Sequence, residues 1–166
     1  MLKEARVCYD FSCKTSVVVR FSEQDWNKVA GLFYLNADAI EERQRIREAV
    51  ATLESIVGTY TPTHRDVGKN WPPQSNVHVI ESGQMDCIDE SINTTTYLKL
   101  LESEGLLKYH LVRKRAYRQS IWNQHWAAQI VETRNGQHYV IDSWFKDNGE
   151  LPILTTSEIW HDLSLF

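Results

Sequence analysis

Apolar positions in the first half of the chain follow two spacings, one typical of strands and one typical of helices. Residues 5–20 alternate loosely and end in a β-branched run, which predicts one or two strands. Ser22 and Asp38 each precede an apolar stripe at helical spacing, so each is expected to cap the start of a helix. The second helix should end at Gly58. Its predicted buried stripe is Ile46, Ala49, Val50, Leu53, Ile56 and Val57.

The second half of the chain changes from helical to strand-like spacing. Residues 59–79 show no regular period and are rich in proline and glycine, which predicts a long loop of the kind that is often functional. A third helix is predicted to begin beside Cys87 and to stop at Gly105. Its expected apolar face is Ile88, Ile92, Thr95, Leu98 and Leu101. Strands are then predicted at 106–112, 126–131 and 139–144.

Helices followed by hairpin-connected strands predict an α+β fold with an antiparallel sheet. The length of 166 residues fits one domain. Within a single domain at 1–166 we distinguish an N-terminal strand and helices at 1–80, a core at 81–146 and a C-terminal tail at 147–166. The hydrophobic fraction of 42% is that of an ordinary soluble globular protein, so a packed core is expected.

Charge and hydropathy exclude several classes of function. The formal net charge is −4, which gives no reason to expect a nucleic acid or an anionic membrane surface as a partner. The apolar runs are too short to span a bilayer. Met1 is followed by mixed, charged residues without a secretory pattern, which predicts a cytoplasmic location, or a periplasmic or exported one if a signal was removed. The oligomeric state is left open.

The spacing of the three cysteines indicates which of them is the candidate reactive thiol. Cys8 and Cys13 have no zinc-site partners at suitable spacing, so they are either buried thiols or a short-loop disulfide. Cys87 is then the odd one, the place to seek a reactive thiol. Asp86 is a good helix cap, which places Cys87 at the first helical position, where unpaired N–H groups favour an anion.

A helix end is too weak to activate Cys87 without a further cation. Lowering a thiol pKa by about 2.5 units takes roughly 3.4 kcal/mol, and a helix end supplies at most about 2 kcal/mol. An imidazolium about 4 Å away contributes on the order of 4 kcal/mol at an effective dielectric near 20. The neighbouring carboxylates of Asp86, Asp89 and Glu90 act in the opposite direction. A histidine partner is therefore required.

His125 is the strongest candidate for that partner. It opens a predicted strand, and Asp142 lies on the strand that faces it. A buried aspartate needs a donor, and an imidazole N–H is suitable. The roles that follow are attack by Cys87, proton transfer by His125 and orientation of the ring by Asp142. The other histidines are His64, His78, His110, His138 and His161.

The Asn135–Gly136 turn conflicts with this pairing. A two-residue turn at Asn135–Gly136 would pair positions that sum to 271, which leaves Asp142 and His125 about 13 Å apart along the strands. Direct pairing needs a sum of about 267. We therefore predict a longer loop, nearer four residues at 132–135, or a bulge.

Residues 83–90 resemble the Gly-Asp-Cys-Glu-Asp-Tyr signature of bacterial transglutaminase-like cysteine proteinases. His125 and Asp142 resemble that family's His and Asp, and the Asp-Ser-Trp ending at Trp144 is similar to the Asn-Ser-Trp of papain-type enzymes. The resemblance covers about residues 81–146. It implies a papain-like core in which the nucleophile helix packs on an antiparallel sheet, with Cys87, His125 and Asp142 as the triad.

The resemblance implies acyl transfer on a protein or peptide amide through a Cys87 thioester, in a cysteine protease or amidohydrolase. A transglutaminase or other acyltransferase is the alternative, and a non-catalytic binding module that retains the fold is the alternative of another class. Some relatives bind calcium beside the nucleophile, but Ile88 stands where the signature is acidic. Neither a metal nor a cofactor is therefore expected.

Two further features are left with two interpretations each. The Cys87 N–H is expected in the oxyanion hole, with Gln84 or Trp71 as the second donor, although a turn amide and a packed indole would explain the same residues. The basic run at 113–115, with Arg118, is expected on a solvated edge strand or loop, and its alternative is a rim that attracts an acidic substrate.

Overall fold

Two antiparallel sheets and four α-helices make up the part of the chain that the structure describes. This computed structural model describes residues 3–71, 81–120 and 123–162. The strands are β1 (Glu4–Tyr9), β2 (Thr15–Arg20), β3 (His110–Gln119), β4 (Gln124–Glu132), β5 (His138–Asp142) and β6 (Ile153–Thr156). The helices are α1 (Glu23–Gly31), α2 (Ala39–Tyr60), α3 (Cys87–Ser103) and α4 (Ser157–His161), with a 3₁₀ turn at Pro62–Arg65. The α+β prediction is confirmed.

Side-chain caps start the helices where the sequence places them. Ser22 and Asp25 form a reciprocal capping box at α1, and the Asp38 carboxylate accepts from the backbone of α2. The predicted end of α2 at Gly58 is wrong, because the helix continues to Tyr60. A Cβ at Gly58 would lie 3.1 Å from side-chain atoms of His64, so this glycine serves close packing.

The buried face of α3 differs from the predicted apolar face. Leu98 and Leu101 are buried, whereas Ile88 and Ile92 are only half-buried. The first turns bury polar groups instead, namely Asp89, Glu90, Ser91, Asn93 and Thr94. These polar side chains have specific partners, as when the Asn93 amide pairs with the backbone of Cys8. Polar satisfaction, and not apolar periodicity, therefore sets the orientation of this end of the helix.

The four-stranded sheet has the order β3-β4-β5-β6. The strand predicted at 106–112 is wrong in extent, because β3 begins at His110 and runs to Gln119 as an edge strand. The C-terminal tail predicted at 147–166 contains β6 and α4 within its described part. Residues 72–80, which include the predicted loop's Pro72, Pro73 and His78, lie outside the described residues.

The loop between β4 and β5 is longer than a two-residue turn, as predicted. Glu132 and Gln137 bracket it, so the loop residues are 133–136, one position beyond the predicted 132–135. The paired positions sum to 269, as in Ala128 with Ile141, which lies between the two registers considered. Asp142 and His125 are therefore diagonal neighbours on one face of the sheet, a separation that long side chains can bridge.

The main core lies between the β1–β2 hairpin, α2, α3 and the inner face of the four-stranded sheet. Val7, Leu53, Leu98 and Ile141 are completely buried there. This packing fixes the start of α3 against β4, where the candidate site lies. No helix in the described ranges is long and apolar enough to cross a bilayer.

Candidate active site

Cys87 is the first residue of α3, and Asp86 caps the helix as predicted. The Asp86 carboxylate accepts from the N–H groups of Ile88 and Asp89, at 3.1 and 3.0 Å. The turn before it requires Gly83, which has φ of +109° and whose Cβ would fall 2.0 Å from the Pro62 carbonyl oxygen. The turn and the cap therefore fix the Cys87 thiol at the N-terminus of α3.

His125 and Asp142 form a buried pair. His125 Nε2 lies 2.6 Å from Asp142 Oδ2, and the two residues are 5% and 1% exposed. Asp142 Oδ2 also accepts from the indole N–H of Trp160 at 2.9 Å, and Oδ1 accepts from the Trp144 backbone N–H at 3.3 Å. The carboxylate is thus held from three directions, which fixes the orientation of the ring.

Aromatic rings surround His125. Trp160 stacks on it with centroids 5.6 Å apart, while Trp144 and Phe145 approach at 5.0 and 5.6 Å. The Nδ1 atom is buried and has no hydrogen-bond partner among the described residues. A buried ring nitrogen without a partner is costly in a structural histidine, and a functional site is one place where that cost is tolerated.

The Cys87 thiol lies beside the backbone that flanks His125. Sγ is 3.9 Å from the Gln124 carbonyl oxygen, and the backbone N–H of Trp126, the residue after His125, hydrogen-bonds to the sulfur. Since Nδ1 has no hydrogen-bond partner, the thiol does not hydrogen-bond to the ring in this arrangement. Burial raises the pKa of the Cys87 thiol, and the nearby negative charges of Asp86 and Asp142 act in the same direction.

The N-terminal hairpin holds the start of α3. Its tight loop is closed by a Cys8–Cys13 disulfide, which settles the alternatives that the sequence left open. Backbone N–H groups of Ser12 and Cys13 donate to Asp86 and Asp89, at 2.9 and 2.6 Å. The loop residues at 10–13 all have positive φ, so a closed ring presents these donors to the capping carboxylates.

Gln84 and Trp71, the two candidates for the second donor of the oxyanion hole, have different surroundings. The Gln84 amide donates to the Arg65 carbonyl at 2.7 Å and accepts from Asn70, so it joins the turn to the preceding loop. Trp71 packs edge-on against Trp144 with centroids 4.7 Å apart and lines the cavity beside His125. Gln84 thus has a structural use, whereas Trp71 is half-exposed at the cleft.

Three carboxyl groups are buried together beneath the site, and the sequence did not single them out as a group. Burial raises the pKa of Glu54 to about 7 and that of Asp66 to about 6. Burial also raises the pKa of Glu90 well above its usual range, and Glu90 hydrogen-bonds to Asp66. Ser143, which follows Asp142, bonds to Thr94 on α3 at 3.1 Å and also hydrogen-bonds to Glu54, which links these carboxyl groups to the end of β5.

The other four described histidines have other environments, and His138, at the start of β5, lies near the Glu158 carboxylate. His110 is fully buried between Glu42 and Arg43, at 2.8 and 3.2 Å. His64 faces backbone carbonyls at Gly58 and Thr61, and His161 faces those at Ser157 and Tyr117. The described residues therefore bring Asp142 to His125 and not to another histidine.

The described residues offer one geometric group of metal-ligating types, formed by Cys8, Cys13 and Asp89. The two sulfurs are joined to each other, and Asp89 accepts the Cys13 N–H. A disulfide sulfur is not a thiolate ligand, so these atoms do not fit a metal ion.

The basic run on β3 is only partly solvated. Arg113 and Lys114 are exposed on the edge strand, as predicted. Arg115 instead stacks on Trp126 at 4.8 Å and donates to Ser91 on α3. Arg118 stacks on Trp160 at 4.4 Å and donates to its carbonyl.

Trp160 is the site residue that sequence reasoning missed. It lies in α4, and Thr156 caps that helix by accepting from Ile159. The run of three hydroxyl residues at 155–157 before an apolar pair was an available signal for a helix start. Nothing in the local pattern indicates that its indole reaches Asp142.

The chain was also compared with known proteins. A scan against protein-family models finds no match, and searches of curated proteins and of solved structures also return none.

Proposed function

We propose that this protein is a cysteine-nucleophile enzyme with a papain-like arrangement, in which Cys87, His125 and Asp142 transfer the acyl group of a protein or peptide amide. The observation that carries the proposal is the buried His125–Asp142 pair, whose second ring nitrogen has no partner among the described residues while a buried thiol lies against the flanking backbone. A purely structural pair would have no need of an unsatisfied Nδ1.

The first step is activation of the thiol. Cys87 turns from the Gln124 carbonyl to His125 Nδ1, and its proton passes to that nitrogen. The resulting imidazolium offsets the burial that raises the pKa of the resting thiol. The Asp142 carboxylate keeps the Nε2 proton in place and stabilises the positive ring.

The thiolate then attacks the carbonyl carbon and forms a C–S bond. The N–H groups at the α3 N-terminus, that of Cys87 first, stabilise the oxyanion. His125 returns its proton to the leaving amine as the C–N bond breaks, which leaves a thioester on Cys87. Water, deprotonated by His125, hydrolyses the thioester and regenerates the thiol.

The test is alkylation of Cys87 by iodoacetamide below about pH 7, where an unactivated thiol is almost entirely protonated. Cys87 is the one free thiol of the three cysteines, so the adduct is unambiguous by mass spectrometry. We expect Cys87 to react at least about tenfold faster than a free thiol at that pH. A rate no faster than the free thiol would favour the non-catalytic binding module.

A further inference from the structure

A cavity of about 380 Å³ opens beside the triad histidine. Its walls are aromatic at Trp71, Trp144 and Phe145, and His125 forms part of one side. The polar residues Ser120 and Asn123 line the rest, together with the cations Lys69 and Arg118. This volume is within the range of small-ligand pockets and is enough for one or two substrate side chains.

The charged side chains among the described lining residues are cations, and the nearby Asp142 carboxylate is buried and paired with His125. Two cationic side chains line it, and none of its described lining residues is acidic. The whole chain has a net charge of −4, so the cavity is a local exception to the overall balance. A cleft with charge of one sign and apolar walls concentrates ligands of the opposite sign.

Lys69 is presented from a fixed backbone. Its φ of +62° is unusual for lysine, and its N–H donates to the Trp144 carbonyl at 2.6 Å. The neighbouring Gly68 lies so close to the backbone at 145–146 that a Cβ would approach within 2.9 Å. The Trp144 indole donates to the Asn70 carbonyl at 2.8 Å, which ties this segment to the aromatic wall.

We propose that this cavity is a subsite for an acidic peptide, in which a substrate carboxylate pairs with Lys69 while its carbon chain packs on the indole rings. Lys69 is the cation assigned to the carboxylate, because Arg118 is stacked on Trp160, donates to its carbonyl and lies near the Asp142 carboxylate. This inference names the substrate class and rests on the proposed acyl-transfer function for its meaning. The binding step itself requires no catalysis.

The experiment measures protection of Cys87 from iodoacetamide by two capped peptides, triglutamate and triglutamine, which match in size and differ in charge. We expect triglutamate to protect the wild-type protein at concentrations at least about fivefold lower than triglutamine, as for a partly exposed ion pair. Lys69→Glu should abolish that preference, and Lys69→Met should reduce it.

Lys28→Glu is the matched control, because it makes the same charge change on the exposed face of α1. It should leave the preference within about twofold of wild type if the effect is local. The inference is overturned if the two peptides protect equally, if neither protects, or if Lys69→Glu retains the preference. Slow alkylation of the unprotected protein would instead count against the proposed function, so the two failures are distinguishable.

Discussion

His125–Asp142 and His110–Glu42 are both buried histidine–carboxylate pairs, and they differ in what the second ring nitrogen meets. His110 bonds to Glu42 through Nδ1 and meets the Arg43 guanidinium through Nε2, so the whole ring is satisfied. His125 bonds to Asp142 through Nε2, and within the described part of the chain its Nδ1 has no partner and lies near the helix that carries Cys87. A buried histidine–carboxylate pair is therefore fully satisfied at His110, whereas at His125 it leaves one ring nitrogen available for the proton transfer that we propose.

The surroundings of the two carboxylates support this distinction. Glu42 accepts from backbone N–H groups at 108 and 109 and from Asn36, so it joins α2 to the start of β3. These hydrogen bonds, together with His110, lower the pKa of the Glu42 carboxyl against the opposing effect of its burial. Asp142 is held by Trp160 and Trp144, which pack around the His125 ring itself.

The largest expected difference comes from removing each histidine. His125→Ala should slow alkylation of Cys87 below pH 7 by about 100-fold, because no base remains to form the thiolate. His110→Ala should leave the rate of the folded protein within about twofold and lower the free energy of unfolding by about 3–5 kcal/mol, because Glu42 loses its partner in the core. Urea denaturation and mass spectrometry give the two readouts.

His110→Gln covers the case in which His110→Ala does not fold. Its amide can still donate to Glu42, so stability should recover in part while the alkylation rate stays unchanged. A slowing by His110→Gln comparable to that of His125→Ala would contradict the assignment of roles.

Neutralising each carboxylate is the next largest effect. Asp142→Asn should slow the alkylation about tenfold or more, because the amide no longer stabilises the charged ring or its orientation. Glu42→Gln should leave the rate unchanged and cost about 2 kcal/mol of unfolding free energy, since buried donors lose a charged acceptor. The comparison fails if Asp142→Asn alters only stability.

The pH dependence of stability should separate Glu42 from Glu54 on the same helix. Folding lowers the pKa of Glu42. Its stabilising contribution to the free energy of unfolding is therefore present above about pH 4.5 and is lost as the pH falls. Folding raises the pKa of Glu54 to about 7. The stabilising contribution of its neutral form to the free energy of unfolding is therefore full below about pH 4.5 and is lost as the pH rises to 7.

Glu54→Gln should therefore raise the free energy of unfolding by about 1 kcal/mol above pH 7 and change it little near pH 4. Urea denaturation across that range provides the measurement. Equal effects of Glu54→Gln at both ends of the range would refute the raised pKa.

The smallest expected effect is that of Trp160→Phe. The phenyl ring preserves much of the stacking on His125 and removes the N–H that donates to Asp142. We expect the alkylation to slow about threefold, the effect of one neutral hydrogen bond to a charged group at the weak end of its range. Trp26→Phe on α1 is the control, because Trp26 packs on Phe21 and makes no contact with Asp142 among the described ring contacts and hydrogen bonds, and its rate should match wild type.

Local signals in the sequence predicted the helix starts, the α+β class and the pairing of His125 with Asp142. Caps such as Ser22 and Asp86 act on their own helix, and a strand-borne aspartate must find a donor, so short-range physics is sufficient there. The predicted register between β4 and β5 differs from the observed one by two positions in the sum. The prediction assumed that His125 and Asp142 lie directly opposite each other, whereas their side chains meet across the diagonal.

Long-range polar contacts were beyond local pattern reading. The burial of Glu90 instead of Ile88 depends on Asp66, which is distant in sequence. The hydrogen bond from Trp160 to Asp142 depends on the pairing of β5 with β6, which the residues near Trp160 do not predict. Such contacts pair residues whose individual patterns suit a surface or a tail, so only the folded chain reveals them.

Two supports of the proposed triad lie outside the segment that contains it. A fragment cut to residues 81–146 would keep Cys87, His125 and Asp142, and would lose the hairpin loop that donates to Asp86 and the indole that donates to Asp142. Anyone who transplants the reactive segment into another scaffold must therefore carry over both flanks or rebuild their donors. If the proposed chemistry is correct, the smallest unit that could carry it extends from the first hairpin to the last described helix.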